Sequence, residues 1–336
     1  MSSAPPTFRS VLQQVAEDCR RDDGGGNPLL ADARPVVRRP RWLVLIGQVV
    51  GVAAVFVVLL AAVTFPLNLL LPEEPPAVFD DLAGRTVLAG INLLVFNGLL
   101  IAAVLLWVRW AERRPIATLG LRRGRLLRRF VAGVGFGLLS MAVVVGASLA
   151  LGQAELGDPE GVASGASALP WRAVLFVPWM VQASGEELLF QGWLLPKVAR
   201  TYGLAVGVGV TAVVFMVAHL GSPGIEVLGI VNLVLYGVFA AVYALYQGSI
   251  AGIAGFHTAW NLAQAHVFGL AVSGGEVGEA TAPVSLVTVE LTGASWLVGS
   301  SFGPEAGLLT TLTIVVGLGV LLVLLRRRAA AAVPVE

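Results

Sequence analysis

The stretch WLVLIGQVVGVAAVFVVLLAAVT, residues 42–64, contains no charged side chain. About 20 apolar residues are enough for a helix, at about 1.5 Å per residue, to cross the roughly 30 Å of bilayer hydrocarbon. Of the 336 residues, 57% are hydrophobic and only 13% are charged, whereas soluble domains carry about 25% charged residues. The sequence therefore predicts an all-α, polytopic membrane protein.

Similar apolar windows predict a bundle of about eight transmembrane helices. The windows lie at about 42–64, 86–108, 130–151, 173–195, 203–220, 225–246, 249–270 and 305–325. We expect residues 41–328 to form this bundle, with a flexible polar tail at 1–40 and a short tail at 329–336. The first tail lacks the apolar core of a signal peptide. Residues 282–293, APVSLVTVELTG, allow either a strand or an interfacial segment.

The positions of the basic residues predict the orientation of the bundle. All but two of the 22 basic residues lie in the first tail, in the loop 109–129, at Lys197 and Arg200, or in the cluster 326–328. Positive residues stay on the cytoplasmic side of a membrane, so both termini are predicted to be cytoplasmic. The net charge of +1 argues against a nucleic-acid partner. The near-exclusive use of arginine over lysine favours a bacterial source, hence a bacterial plasma membrane.

Two adjacent acids, Glu186 and Glu187, lie in the middle of the fourth predicted helix. A carboxylate at mid-membrane costs about 2.5–3.5 kcal/mol or more, and such residues usually face a polar cavity and serve function. Gln191 follows Glu187 by one helical turn and so shares its face. The spacing does not choose between the two glutamates, which point about 100° apart on a helix.

Imidazole and amide groups lie on later predicted helices. His219 is near the end of the fifth, and His257 and Asn261 share one face of the seventh. A carboxylate and an imidazole can activate water directly, or they can hold a metal such as zinc whose bound water ionises. A second imidazole and an amide can stabilise an oxyanion. The alternative is a set of interhelical hydrogen bonds that only hold the bundle together.

At these residues the sequence resembles the CPBP family of membrane proteases, which includes type II CAAX prenyl endopeptidases and bacteriocin-immunity relatives. Its three motifs correspond to Glu186-Glu187-Leu-Leu-Phe-Gln191, Phe215-Met-Val-Ala-His219 and His257-Thr-Ala-Trp-Asn261. The resemblance covers about residues 172–266, the predicted protease core.

The resemblance implies that Glu186 is the base, that His219 lies beside it, and that His257 and Asn261 support the oxyanion. It leaves open whether a metal bound by Glu186, His219 and His257 takes part. Gln191 stands where relatives often carry arginine. A glutamine can hydrogen-bond Glu187 but does not neutralise it.

Other expectations concern the cavity and its depth. Asn232 and Tyr236 recur at helical spacing on the sixth predicted helix, either as cavity lining or as a packing stripe. Glu186 would lie about 12–14 Å from the cytoplasmic end of its helix, and His219 about 24 Å if its helix began at Gly203. We therefore expect a late or irregular start to the fifth helix, near Val208, and a cavity that reaches toward the cytoplasmic half.

These features predict an intramembrane endopeptidase that hydrolyses a peptide bond of a membrane-associated or lipidated substrate. A CAAX substrate is implied by the resemblance alone. The alternative is a catalytically silent scaffold or immunity-type protein that binds a membrane partner. A proton-coupled transporter using the two glutamates would need further titratable groups across both leaflets, and the sequence shows none.

Overall fold

The computed structural model describes residues 27–31, 33, 35–36, 40–70, 81–122, 124–157, 169–275 and 284–331. The long helices are α2 (Arg41–Leu70), α3 (Leu82–Leu106), α4 (Leu126–Ala150), α5 (Leu169–Glu187), α7 (Leu204–Ala218), α8 (Val227–Gln247), α9 (Ala251–Leu262) and α11 (Leu308–Ala331). The short elements are α1 (Pro28–Ala31), α6 (Leu195–Tyr202), α10 (Ser295–Val298), β1 (Ala154–Gly157) and β2 (Thr288–Leu291). Three π-helical turns continue α3, α5 and α9, at Trp107–Ala111, Leu188–Leu194 and Ala263–Val267.

The prediction of an all-α membrane bundle is confirmed, since each of the eight predicted segments contains a helix. Within the described residues, five helices are long and apolar enough to cross a membrane. They are Arg41–Phe65, Ala83–Ala111, Leu126–Ala150, Val227–Gln247 and Leu308–Arg328. The count of eight crossings stays a prediction, because α7 is a shorter apolar helix and α5 carries the buried acids.

The expected late start of the fifth helix is wrong. Helix α7 begins at Leu204. Gly203, with a φ of +98°, is the single residue between the end of α6 and this start. Helix α5 is followed without a break by its π-helical turn and by α6, which ends at Tyr202. Glu186 and His219 therefore lie almost equally far from Gly203, about 17 and 16 residues along the chain.

Helix α9, which carries His257, packs on α4 at backbone contact distance. A Cβ added at Gly133 would lie only 1.9 Å from the carbonyl oxygen of Gly252, and one at Gly255 only 2.1 Å from that of Phe130. Small residues allow such close approach between membrane helices. The contact fixes the distance of His257 from α4.

The outer loops contain a small antiparallel sheet. Strand β1 pairs with β2 in the register Ala154 to Leu291 and Gly157 to Thr288. Residues 282–293 thus contain a strand, the first of the two structures that their sequence allowed. The backbone N–H of Leu286 also donates to the carbonyl of His266, at 3.0 Å. The loop is therefore fastened to the end of α9.

Part of the predicted flexible tail packs on the bundle. Leu29 and Leu30 of α1 are fully buried, and the N–H of Val36 donates to the Thr201 hydroxyl at 3.0 Å. These residues of the predicted tail therefore contact the bundle, whereas residues 1–26, 32, 34 and 37–39 lie outside the described part of the chain. The remaining domain boundaries stay predictions.

A buried cluster of charged side chains lies at the end of the bundle that carries the arginine-rich loop 109–129. Lys197 of α6 contacts Glu112, and Nε of Arg114 lies 2.8 Å from the same carboxylate. The indole N–H of Trp193 also donates to Glu112, at 2.8 Å. Burial by itself raises the pKa of Glu112, but the charges of Lys197 and Arg114 outweigh it and hold that pKa below the ordinary value.

Candidate active site

The two glutamates end α5, immediately before the π-helical turn Leu188–Leu194. Such turns are frequent at functional sites. The Glu187 side chain is 1% exposed and that of Glu186 is 17% exposed. Glu187 Oε1 accepts hydrogen bonds from His257 Nδ1 at 2.9 Å and from the Tyr236 hydroxyl at 3.0 Å. The inner glutamate therefore orients an imidazole, and the outer one is the more accessible.

Glu186 belongs to a second hydrogen-bonded chain. Its Oε1 accepts from Nε2 of Gln182 at 2.6 Å, and Oε1 of Gln182 accepts from Nδ2 of Asn261 at 3.0 Å. Glu186 Oε2 lies 3.9 Å from His257 Nε2, which is too long for a direct hydrogen bond. Glu186 Oε2 is itself buried and has no hydrogen-bond partner among the described residues.

Among the described residues no hydrogen bond or ion pair joins His219 to Glu186, and the role that the resemblance implied for His219 stays a prediction. The imidazole in contact with both glutamates is His257, on α9. His219 follows the last residue of α7, and its Nδ1 donates to the carbonyl of Phe215 at 2.9 Å. This bond leaves Nε2 as the remaining polar atom of the ring. His219 and His257 line the same cavity.

That cavity has a volume of about 40 Å³ and lies between α7, α8, α9 and the start of α11. Its lining includes His219, Tyr236, His257, Asn261, Ser273 and Glu305. Ser273 and Glu305 belong to the loops that connect α9 with α11.

The cavity lies on the side opposite the arginine-rich loop, not toward it as expected. Helix α9 starts next to that loop, where the Ser249 hydroxyl donates to the carbonyl of Gly120 at 2.8 Å. It then runs away to the loops that carry Ser273 and Glu305. The reason for the difference is that these loops fold back against the bundle and supply part of the cavity wall.

Glu305 is the main site residue that the sequence interpretation missed. Its Oε2 accepts from the N–H of Ser273 at 2.6 Å and from Nε2 of Gln264 at 3.2 Å. In the sequence it stands at the predicted start of the last helix, where an acid is ordinary. Gln182 was also missed, although its spacing of four residues before Glu186 was a usable signal.

The three weaker candidates, Tyr236, Asn232 and Gln191, lie in different environments. Tyr236 contacts Glu187, as described above. Asn232 lines the cavity, but its amide donates to the carbonyls of Glu305 and Gly307, at 2.7 and 3.0 Å, and so holds the start of α11. Gln191 is fully buried, and neither atom of its amide has a hydrogen-bond partner among the described residues. The hydrogen bond that a glutamine here can make to Glu187 is therefore not formed.

The side chains of the described residues do not assemble a metal centre. Among the described residues, no group of three or more His, Cys, Asp or Glu side chains is placed to hold a metal ion. The arrangement of Glu186, His219 and His257 thus does not fit a common ligand set, and no step proposed below uses a metal.

Comparison with known proteins gives one match. Residues 168–263 match the family model described as Rce1-like, type II CAAX prenyl endopeptidase. No curated protein and no solved structure matches the chain. The matched segment contains both glutamates, His219, His257 and Asn261, and it confirms the resemblance to the CPBP family. The chain is therefore an integral membrane protein in which the segment holding these residues is similar to type II CAAX prenyl endopeptidases.

Proposed function

We propose that this chain is an intramembrane endopeptidase that hydrolyses a peptide bond of a membrane-associated or lipid-linked protein. The observation that carries the proposal is the pair of acids held against one imidazole, beside a cavity in an apolar bundle. A bundle that needed only packing would not bury two adjacent carboxylates at this cost. The family match supports the same reaction class.

In the proposed reaction Glu186 is the base, because it is the more exposed of the two acids. A water between Glu186 Oε2 and His257 Nε2 loses a proton to Glu186, and its oxygen attacks the substrate carbonyl carbon. The carbon–nitrogen bond of the tetrahedral intermediate then breaks, and Glu186 returns the proton to the leaving amine. Catalysis by such a positioned base is worth about 10²–10⁴-fold in rate.

The surrounding groups have supporting roles in this proposal. Glu187 holds the Nδ1–H of His257, so that Nε2 faces Glu186. Asn261 has one amide hydrogen bonded to Gln182 and a second one available for the oxyanion. His219, in the wall of the same cavity, would bind the substrate backbone through Nε2.

The test is cleavage of a membrane-peptide library by the purified protein in liposomes. We expect Glu186→Gln to lose activity by about 10²-fold or more while the fold is retained. Glu226→Gln is the matched control, because Glu226 is an exposed acid outside the cavity. We expect a chelator to leave cleavage unchanged. Cleavage by Glu186→Gln at the wild-type rate would refute the assignment of the base.

The second candidate function, a silent scaffold, is favoured by one observation. Gln191 carries no charge, so it does not neutralise the acid pair from the position where relatives often carry arginine, and its amide has no hydrogen bond to Glu187. A scaffold would show normal cellular function with Glu186→Gln in place. Its function would instead fail when exposed helix surfaces are altered.

A further inference from the structure

The cavity has an excess of acidic groups over basic ones. Among the described residues that line it, the titratable ones are His219, Tyr236, His257 and Glu305, and none is lysine or arginine. Glu186 and Glu187 adjoin it through His257. With all three carboxyls ionised, one negative charge would stay uncompensated even when both imidazoles are protonated. An uncompensated charge at membrane depth is costly unless a partner relieves it.

Glu305 is held in one orientation by its loop. The strong hydrogen bonds, from the Ser273 N–H and from Gln264, both go to Oε2, whereas Oε1 is approached only by the Ser273 hydroxyl at 3.3 Å. An ionised carboxylate oxygen has more than one lone pair to offer. Oε1 therefore keeps accepting capacity beside the cavity.

The hydrogen bonds to Oε2 of Glu305 do not by themselves explain why residue 305 is an acid. The two donors at Oε2 would be satisfied equally by the carbonyl oxygen of a glutamine, which carries no charge. Elsewhere in the site, Glu187 Oε2, on a side chain that is 1% exposed, has no hydrogen-bond partner among the described residues. The spare accepting capacity of Glu305 Oε1, in the cavity wall, indicates a place for a donor from outside the protein.

We infer that the cavity binds a positively charged group of the substrate, a lysine or arginine side chain or a free amine, against Oε1 of Glu305. This inference rests on the proposed endopeptidase function and specifies its substrate class. Donor groups with a full charge form the stronger hydrogen bonds to a carboxylate. Glu305 is thus a specificity-determining residue, separate from the base and from the imidazole that support the hydrolysis.

The same charge balance disfavours a substrate with a free carboxylate near the scissile bond. In a CAAX sequence the chain ends three residues after the prenylated cysteine. Its terminal carboxylate would enter a cavity that holds carboxylates and no lysine or arginine among the described lining residues. A like charge there costs affinity. An internal segment with a basic residue suits the cavity better.

The test uses the full chain in liposomes of neutral phosphatidylcholine, so that surface charge does not recruit the peptide. The probes are apolar peptides carrying one lysine at a scanned position, each paired with the same peptide carrying norleucine. Binding is measured by fluorescence anisotropy, and cleavage by mass spectrometry. We expect lysine at one or two positions to improve binding by about tenfold or more over norleucine.

Glu305→Gln should remove this preference while the melting temperature shows that the fold is retained. Glu290→Gln, the same charge change at an exposed acid on β2 of the outer sheet, should keep it. Equal binding of lysine and norleucine peptides by the wild type would overturn the inference even if cleavage occurs. Binding that prefers lysine and depends on Glu305, without any cleavage, would uphold it and refute the protease proposal.

Discussion

Replacement of Gly133 by alanine tests the contact that positions the His257 helix. A Cβ at this position would lie 1.9 Å from the carbonyl oxygen of Gly252 and 2.9 Å from the backbone nitrogen of Phe256. A normal contact needs about 3.5 Å, so α4 and α9 must separate by about 1.5 Å. Both opposing atoms are backbone, and no side-chain rotation relieves the overlap.

The expected cost follows from two opposing effects. Overpacking of a tight contact costs about 1–3 kcal/mol, and a clash with backbone belongs at the upper end of that range. Alanine recovers about 0.5–1 kcal/mol of helix stability relative to glycine. We therefore expect Gly133→Ala to lower the free energy of unfolding by about 2 kcal/mol.

Gly135→Ala is the matched control, because Gly135 is on the same helix and a Cβ there meets nothing within 4 Å. Its free energy of unfolding should be unchanged or slightly raised. The assay is reversible unfolding by sodium dodecyl sulfate in mixed micelles, followed by circular dichroism. Equal stabilities of the two variants would show that α4 and α9 are not in backbone contact.

Three further predictions concern the ion cluster and the site. Lys197→Met should lower the free energy of unfolding by about 3 kcal/mol, because it leaves the buried Glu112 carboxylate without the Lys197 ammonium. The double variant Lys197→Met, Glu112→Gln should recover most of this loss. Since the folded-state pKa of Glu112 lies below the ordinary 4.5, its stabilisation is complete above pH 4.5 and is lost as the pH falls through the folded-state value. The free energy of unfolding, measured as the pH is lowered, should therefore change less for Glu112→Gln than for the wild type. Identical curves for the two proteins would contradict the lowered pKa of Glu112. Tyr236→Phe should lower kcat/KM about tenfold, because it removes the hydroxyl donor to Glu187, whereas Tyr243→Phe, in an aromatic cluster two turns along the same helix, should leave kcat/KM unchanged.

The positions of His257, Asn261 and His219 show how far the spacing of residues in the sequence predicts the site. The spacing of His257 and Asn261 placed both on one face of a helix, and both do line the cavity. The depth of His219 was misjudged because the continuation of α5 through a π-helical turn to Tyr202 leaves no clear mark in the sequence. A few extra helical residues displace the expected position of a side chain by about 1.5 Å each.

The contrast between Glu186 and Glu187 has a similar origin. On a helix the two residues differ only in direction, so spacing alone gave no preference. Their different roles come from neighbours on distant helices, since α8 supplies Tyr236 and α9 supplies His257 to the same oxygen of Glu187. The environment of a buried acid is a property of the packed bundle.

The sequence by itself determined the membrane class, the helical segments and the identity of the acid, imidazole and amide groups. These depend on local properties, because hydrocarbon accepts only apolar segments with internally bonded backbone and penalises each buried charge separately. Only the tertiary structure decided that His257 contacts both glutamates and that Glu305 enters the cavity. Both results depend on contacts between residues at least 32 positions apart in the chain. The pairing of these residues follows from how the helices pack and the loops fold back.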